Sequence, residues 1–202
     1  MEVVFLKAKQ RLIKEISLES KKPYPLVKKF TSYHHKFDKT SEGFNEFFSL
    51  LIKYADKGAA LHKGLLKKKL KNESRALMTD RVAQSDLLVM DLDGVEFPIS
   101  STKSTLNTFD IQSIAEQFVT YLSPEFQDVS YIAQASSSLG LKGNKVSMHL
   151  FFLLKYPVYP KVLKEWLRTL NYEIDFLANQ LSLSANGQSI AYPLDVSLAD
   201  NS

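Results

Sequence analysis

An α/β fold, with a mixed or antiparallel central sheet and helices packed against it, is what the sequence predicts, on three observations. The run DLLVM at 86–90 is short, continuous and apolar, the signature of a strand buried on both faces. Two further segments, DVSYIAQAS at 128–136 and KVSMHLFFLLK at 145–155, carry the alternation and β-branching of strands. Stretches of helical periodicity lie between and after them, with no internal repeat and no low-complexity tract.

Taken in order, residues 5–18 mix apolar and basic side chains and are read as a helix. SKKPYPLVKKFTSYHHKFDKTSEGF is loop-like, with Pro23, Pro25 and a Ser/Thr-rich end. SEGFNEFFSLLIKYADKG is an amphipathic helix: Phe44, Phe47, Phe48, Leu51 and Ile52 fall on one face, and Gly58 stops it. A second, short helix is expected over 60–71. After the DLLVM strand, TFDIQSIAEQFVTYL is a helix capped by Thr108 or Asp110. The 128–136 strand, the turn SSSLGLKGN and the 145–155 strand make a hairpin. YPKVLKEWLRTLNYEIDFLANQL reads as one long helix. SIAYPLDVSL is a last strand, with Pro193 interrupting its ladder or placing it at an edge. The expected organisation is a helical, basic N-terminal portion over 1–58 and a core over 59–202.

The chain has 202 residues, 45% of them hydrophobic, enough for one domain or one domain with a small appendage. It has no cysteine, which excludes disulfides and thiolate metal sites. No apolar run approaches the ~18 residues of a membrane span, and the N-terminus lacks the pattern of a signal peptide. A cytoplasmic protein with no membrane partner is expected. The net charge of +4 is mild, but the basic excess lies in residues 1–75, in runs such as SKKPYPLVKKF and HKGLLKKKLKNESR. Such runs either attract phosphates or form a solvated helix face.

The chemistry is concentrated in DLLVMDLDGV. Side chains on a strand repeat with period two, so Asp91 and Asp93 share a face while Leu92 points into the core. KVSMHLFF repeats that geometry, with Ser147 and His149 on one face and Met148 on the other; Lys145 falls on the same side as Ser147. YPLDV places Asp195 after an apolar residue on a third candidate strand. The order is hhhDxD, then SxH, then hD.

This trio resembles the catalytic core of the archaeo-eukaryotic primase superfamily, the primase-polymerases, over roughly residues 60–200. The resemblance implies an RRM-like central sheet. It implies that Asp91, Asp93 and Asp195 are catalytic and bind two divalent cations, magnesium or manganese, and that Ser147 and His149 contact the phosphates of an incoming nucleoside triphosphate. The segment GAALHKGLLKKKLKNESR is similar to one that precedes the first motif in primase-polymerases of plasmids, phages and mobile elements; Lys63, Gly64, Leu65, Ser74 and Arg75 are the matching residues. The function implied is making or extending primers on single-stranded DNA in the replication of such an element, beside a helicase that is fused or separately encoded. No P-loop is present in this sequence. The late position of Asp195 leads to the expectation that the domain continues in a longer parent protein.

Two carboxylates at a strand end suit this reaction. A 3′-hydroxyl attacks the α-phosphorus and charge develops on attacking and leaving oxygens; hard cations held by carboxylates stabilise both. Hydrogen bonds from Ser147 and His149 would stabilise the transferring group. Lys145 adds a phosphate contact or is a plain strand-end lysine, and Arg75 is a bidentate phosphate donor or a surface ion pair. Lys63, Lys67, Lys68 and Lys69 are the candidate DNA-binding residues, with Tyr33 and Phe37 as possible stacking partners for a template. His34, His35 and His62 have no ligand spacing.

Two other classes stay open. D-x-D-G-V after an apolar strand also resembles the nucleophile motif of haloacid-dehalogenase-type phosphatases, in which the first Asp attacks phosphorus. That family needs a later acidic pair, and neither Asp195, followed by Val196, nor Asp200, between Ala199 and Asn201, supplies one. The third class is a catalytically inactive, template-binding domain.

Overall fold

The computed structural model describes residues 1–17, 19–97, 110–139, 145–184 and 186–197. It is mixed α/β with antiparallel pairing and, among the described residues, four α-helices. The chain divides into two compact units, one chiefly Met1–Leu88 and Leu153–Lys164, the other Val89–Phe152 and Glu165–Val196.

The first unit is built on a three-stranded antiparallel sheet. Strand β1 (Glu2–Lys7) runs through its centre; short strands β2 (Glu15–Ile16) and β3 (Lys21–Lys22) follow as a separate pair, and β4 (Thr31–Lys36) returns to the sheet. Helix α1 (Ser41–Asp56) leads to β5 (Ala60–His62), which pairs with the other edge of β1. The pair β6 (Leu65–Leu66) and β7 (Thr79–Asp80) follows. The helix expected over residues 5–18 is therefore not formed. Val3, Val4, Phe5 and Leu6 are all buried, because β1 is central and covered on both faces. That is the same signature that marks DLLVM, here masked by the polar residues that follow. The loop expected over the Ser20–Phe44 stretch contains β4, whose polar TSYHHK is a strand because β1 pairs with it from Glu2↔Lys36 to Lys7↔Thr31. The helix expected over 60–71 is replaced by β5, β6 and bends. The N-terminal portion is thus a sheet with one helix and not a helical region.

Helix α1 forms as expected. Thr40 caps it, its hydroxyl accepting from the Gly43 N–H at 3.2 Å. It ends at Asp56, and Gly58 follows at φ +62°, a conformation glycine adopts without strain. Its buried face is narrower than the expected one. Phe44, Phe47, Leu51 and Tyr54 are buried, whereas Phe48 and Ile52 are exposed. Tyr54 stacks on Phe5 with centroids 4.1 Å apart, which places this face on the sheet.

The second unit holds the sheet β8–β10–β9. Strand β8 (Ser85–Glu96) carries DLLVMDLDGV; helix α2 (Ile111–Val119) is capped by Asp110, and Thr108 lies outside the described residues. Strands β9 (Tyr131–Ala135) and β10 (Lys145–Val158) pair antiparallel, with His149 opposite Gln134. The turn between them is described only as far as Leu139. The single long helix expected after β10 is two, α3 (Pro160–Glu173) and α4 (Asp175–Ala178), because Ile174 takes extended dihedrals (φ −87°, ψ 107°). The last strand is reduced to β11 (Ser182–Leu183) paired with β12 (Ile190–Ala191), then one antiparallel bridge, Leu92↔Leu194. The core of this unit includes Met90, Leu92, Ile114, Phe118, Met148, Leu150, Leu167 and Leu194. No helix among the described residues is long and apolar enough to cross a membrane.

Candidate functional site

β8 is apolar from Leu87 to Met90 and then alternates: Asp91 is half-buried, Leu92 fully buried, Asp93 exposed. The next inward residue is Val95, three after Leu92, so the strand carries one residue more than a strict period of two allows. Gly94 is that residue, at φ +70°. A Cβ built there meets nothing within 4 Å, so the demand for glycine is conformational and not steric. The turn aims the Gly94 N–H at the Ser147 hydroxyl, 2.9 Å away on β10.

Ser147 is 1% exposed. Its Oγ accepts from Gly94 and donates to Asp93 Oδ1 at 3.3 Å. Two positions along β10, His149 turns Nε2 to Asp91 Oδ1 at 3.3 Å. Its Nδ1 is buried and has no hydrogen-bond partner among the described residues. On the outer side of β8 the Asp195 N–H donates to the Asp91 carbonyl at 2.8 Å, and the Asp93 N–H donates to the Pro193 carbonyl at 3.2 Å. Asp195 is half-buried. Asp91, Asp93, Ser147, His149 and Asp195, from three segments far apart in sequence, are thus joined by direct polar contacts: hydrogen bonds for Ser147–Asp93 and Asp195–Asp91, and an imidazole–carboxylate approach for His149–Asp91.

The Ser147 hydroxyl, expected at a nucleotide's phosphates, is buried; donating to Asp93 and accepting from Gly94, it ties β8 to β10. Lys145 pairs with Glu96 at 3.4 Å, on the exposed end of the same strands. Glu96 is also held through its backbone by the Gln180 amide, at 2.7 and 2.8 Å.

The other candidates belong to the first unit. Lys67 and Lys68 are exposed on a bend and Lys69 just after it, none of them on a helix, and Lys68 is paired with Glu73. Arg75 and Lys63 are half-buried. Arg75 lies close enough to His62 to lower its pKa. Phe37 is core, edge-on to Phe47 at 6.2 Å, and presents no ring face for a template base; Tyr33 is exposed. His34 bonds Ser32 Oγ at 3.0 Å and His35 bonds the Tyr54 hydroxyl at 2.9 Å.

Asn171 is a residue sequence reasoning missed. It is 0% exposed and bonds the backbone of Leu194, next to Asp195. A signal was present: Leu163, Leu167 and Leu170 form the apolar stripe of α3, and Asn171 sits on it, four residues after Leu167.

In donor chemistry the acidic residues fit a hard divalent cation, being carboxylates in a chain without cysteine. Among the described residues, no group of three or more His, Asp and Glu side chains stands together as a formed metal cage. The link of Asp195 to the pair is made by backbone. Compared with family models, curated proteins and solved structures, the chain finds no match in any of the three.

Proposed function

We propose that the second unit is the catalytic core of a primase-polymerase, a nucleotidyltransferase that makes or extends primers on single-stranded DNA from nucleoside triphosphates, in the replication of a plasmid, phage or mobile element. One observation carries the reading. The hhhDxD, SxH and hD segments, chosen from sequence alone, meet through the Ser147–Asp93 and Asp195–Asp91 hydrogen bonds and the 3.3 Å approach of His149 Nε2 to Asp91 Oδ1. Local sequence does not require that meeting. The phosphatase reading uses only the two aspartates of β8 and leaves the Ser147, His149 and Asp195 contacts without a purpose.

Asp91, Asp93 and Asp195 would hold magnesium or manganese, which when bound neutralises charge on the attacking and leaving oxygens. Asp91 also fixes the orientation of the His149 ring, by accepting from or facing Nε2. Of the two ring nitrogens Nδ1 is buried, so in this reading His149 would meet the triphosphate, where charge grows during transfer, through Nε2 at the edge it shares with Asp91. Ser147 contributes indirectly: it sets the turn at Gly94 and the rotamer of Asp93.

The test is nucleotide incorporation on primed and unprimed single-stranded templates with Mg2+ or Mn2+. Asp91→Asn and Asp93→Asn are expected to lose at least about 100-fold in rate, the scale of removing a group that stabilises transition-state charge, while melting as the wild type does. Wild-type incorporation by either variant would remove the site assignment. Asp91-dependent turnover of p-nitrophenyl phosphate, without incorporation, would favour the phosphatase. DNA binding with neither activity would leave the inactive template-binding domain.

A further inference from the structure

We propose that Asn171 is the positioning residue of the Asp195 carboxylate; this rests on reading Asp91, Asp93 and Asp195 as one acidic site. The Asn171 side chain lies fully buried on α3 and makes three hydrogen bonds. Nδ2 donates to the Leu167 carbonyl and to the Leu194 carbonyl, both at 2.9 Å, and Oδ1 accepts from the Leu194 N–H at 3.0 Å. One amide thus satisfies both backbone groups of Leu194 and ties them to the helix.

Among the described residues the segment joins β8 by one bridge, through the Pro193 carbonyl and the Asp195 N–H. β8 holds one edge of Pro193–Leu194–Asp195 and Asn171 holds the other. The path from the helix to the acidic site is Asn171, Leu194, Asp195, Asp91, each link a peptide bond or a hydrogen bond. Only a side chain with two donors and an acceptor on one planar group makes all three contacts, which is what an amide supplies. A partner bonded directly to a ligating side chain commonly controls metal affinity or activity by about 10–100-fold; Asn171 acts one residue further out, through the Leu194 backbone, so that range is its upper bound.

The experiment compares the full chain with Asn171→Leu, which removes all three bonds at similar volume, and Asn171→Asp, which keeps an acceptor for the Leu194 N–H. Amide hydrogen exchange at Asp195 and Mn2+ binding by titration are measured, with α2 amides as the folding control. Asn171→Leu is expected to exchange Asp195 at least about 10-fold faster and to bind Mn2+ more weakly, by up to about 10–100-fold. Asn171→Asp falls between it and the wild type, and single-stranded DNA affinity stays unchanged in both. If Asn171→Leu does not fold, Asn171→Asp decides by the same two readouts. A folded variant with wild-type Asp195 exchange and wild-type Mn2+ affinity overturns the proposal. A wild-type chain that binds no Mn2+ overturns the acidic-site reading instead, and Asp195 exchange alone then decides the positioning role.

Discussion

Ser147 and His62 are both buried polar side chains, and each leads to a different measurement. Removing the Ser147 hydroxyl leaves the Gly94 N–H without its partner and frees Asp93. Ser147→Ala is therefore expected to lose about 1 kcal/mol of stability, the low end of the cost of an unsatisfied donor, since Gly94 is half-buried. As a positioning residue it should lower kcat with little change in nucleotide affinity. Urea unfolding and nucleotide titration read the two effects; a selective loss of nucleotide affinity would return Ser147 to a phosphate contact. His62 lies in the first unit, where burial, followed by the nearby Arg75 charge, lowers its pKa to about 4 against an opposing backbone contact from Leu65. The unfolded chain takes up this proton near 6.5 and the folded chain only near 4. Between those values the unfolded state binds more protons, so stability falls as pH drops through that window. The full effect is on the order of 3 kcal/mol, and it is absent above the window. Melting curves from pH 7 to 4.5 should show His62→Gln losing less stability in acid than the wild type; equal losses would contradict the buried, neutral imidazole.

Helix α1 shows what an element's own period can and cannot say. Periodicity places Phe44, Phe47, Phe48, Leu51 and Ile52 together, yet only the edge carrying Phe44, Phe47, Leu51 and Tyr54 meets the sheet. Phe47 touches Phe37 and Phe44 and is fully buried, so Phe47→Ala should cost about 3–5 kcal/mol. Phe48→Ala, at an exposed position, should stay within about 0.5 kcal/mol. Denaturant melts of the two variants test the orientation of the helix, and comparable losses would refute it.

At the scale of the whole molecule, the relevant quantity is charge. The net +4 is small, but Lys67, Lys68 and Lys69 are all exposed and lie outside any helix; on a helix, neighbours ~100° apart could not all face one ligand. If they contact single-stranded DNA, replacing the three by Ala should reduce the salt dependence of binding by about two units, at about 0.7 per phosphate contact. Lys68 already pairs with Glu73, which would lower its share. A change below one unit, measured by binding at several salt concentrations, would place the DNA elsewhere.

Sequence by itself determined the elements whose residues repeat at short range. DLLVM, the strand read over 128–136 and formed over 131–135, the 145–155 strand, α1 and α2 all announce themselves by period, cap or apolar run. The shared face of Asp91 and Asp93 follows from the same pleat. Only the tertiary structure decided the rest. β4 is polar and becomes a strand through its pairing with β1. The 60–71 segment is helical in composition and extended in fact, because sheet partners use its backbone groups. Ser147 looks like a ligand contact until Asp93 and Gly94 are seen to use its hydroxyl. Asp195 lies beside Asp91, and Asn171 beside Leu194, through hydrogen bonds between segments far apart in the chain. Periodicity reports which side of an element is buried, but not which distant backbone group will take its hydrogen bond; that choice is made when the segments pack.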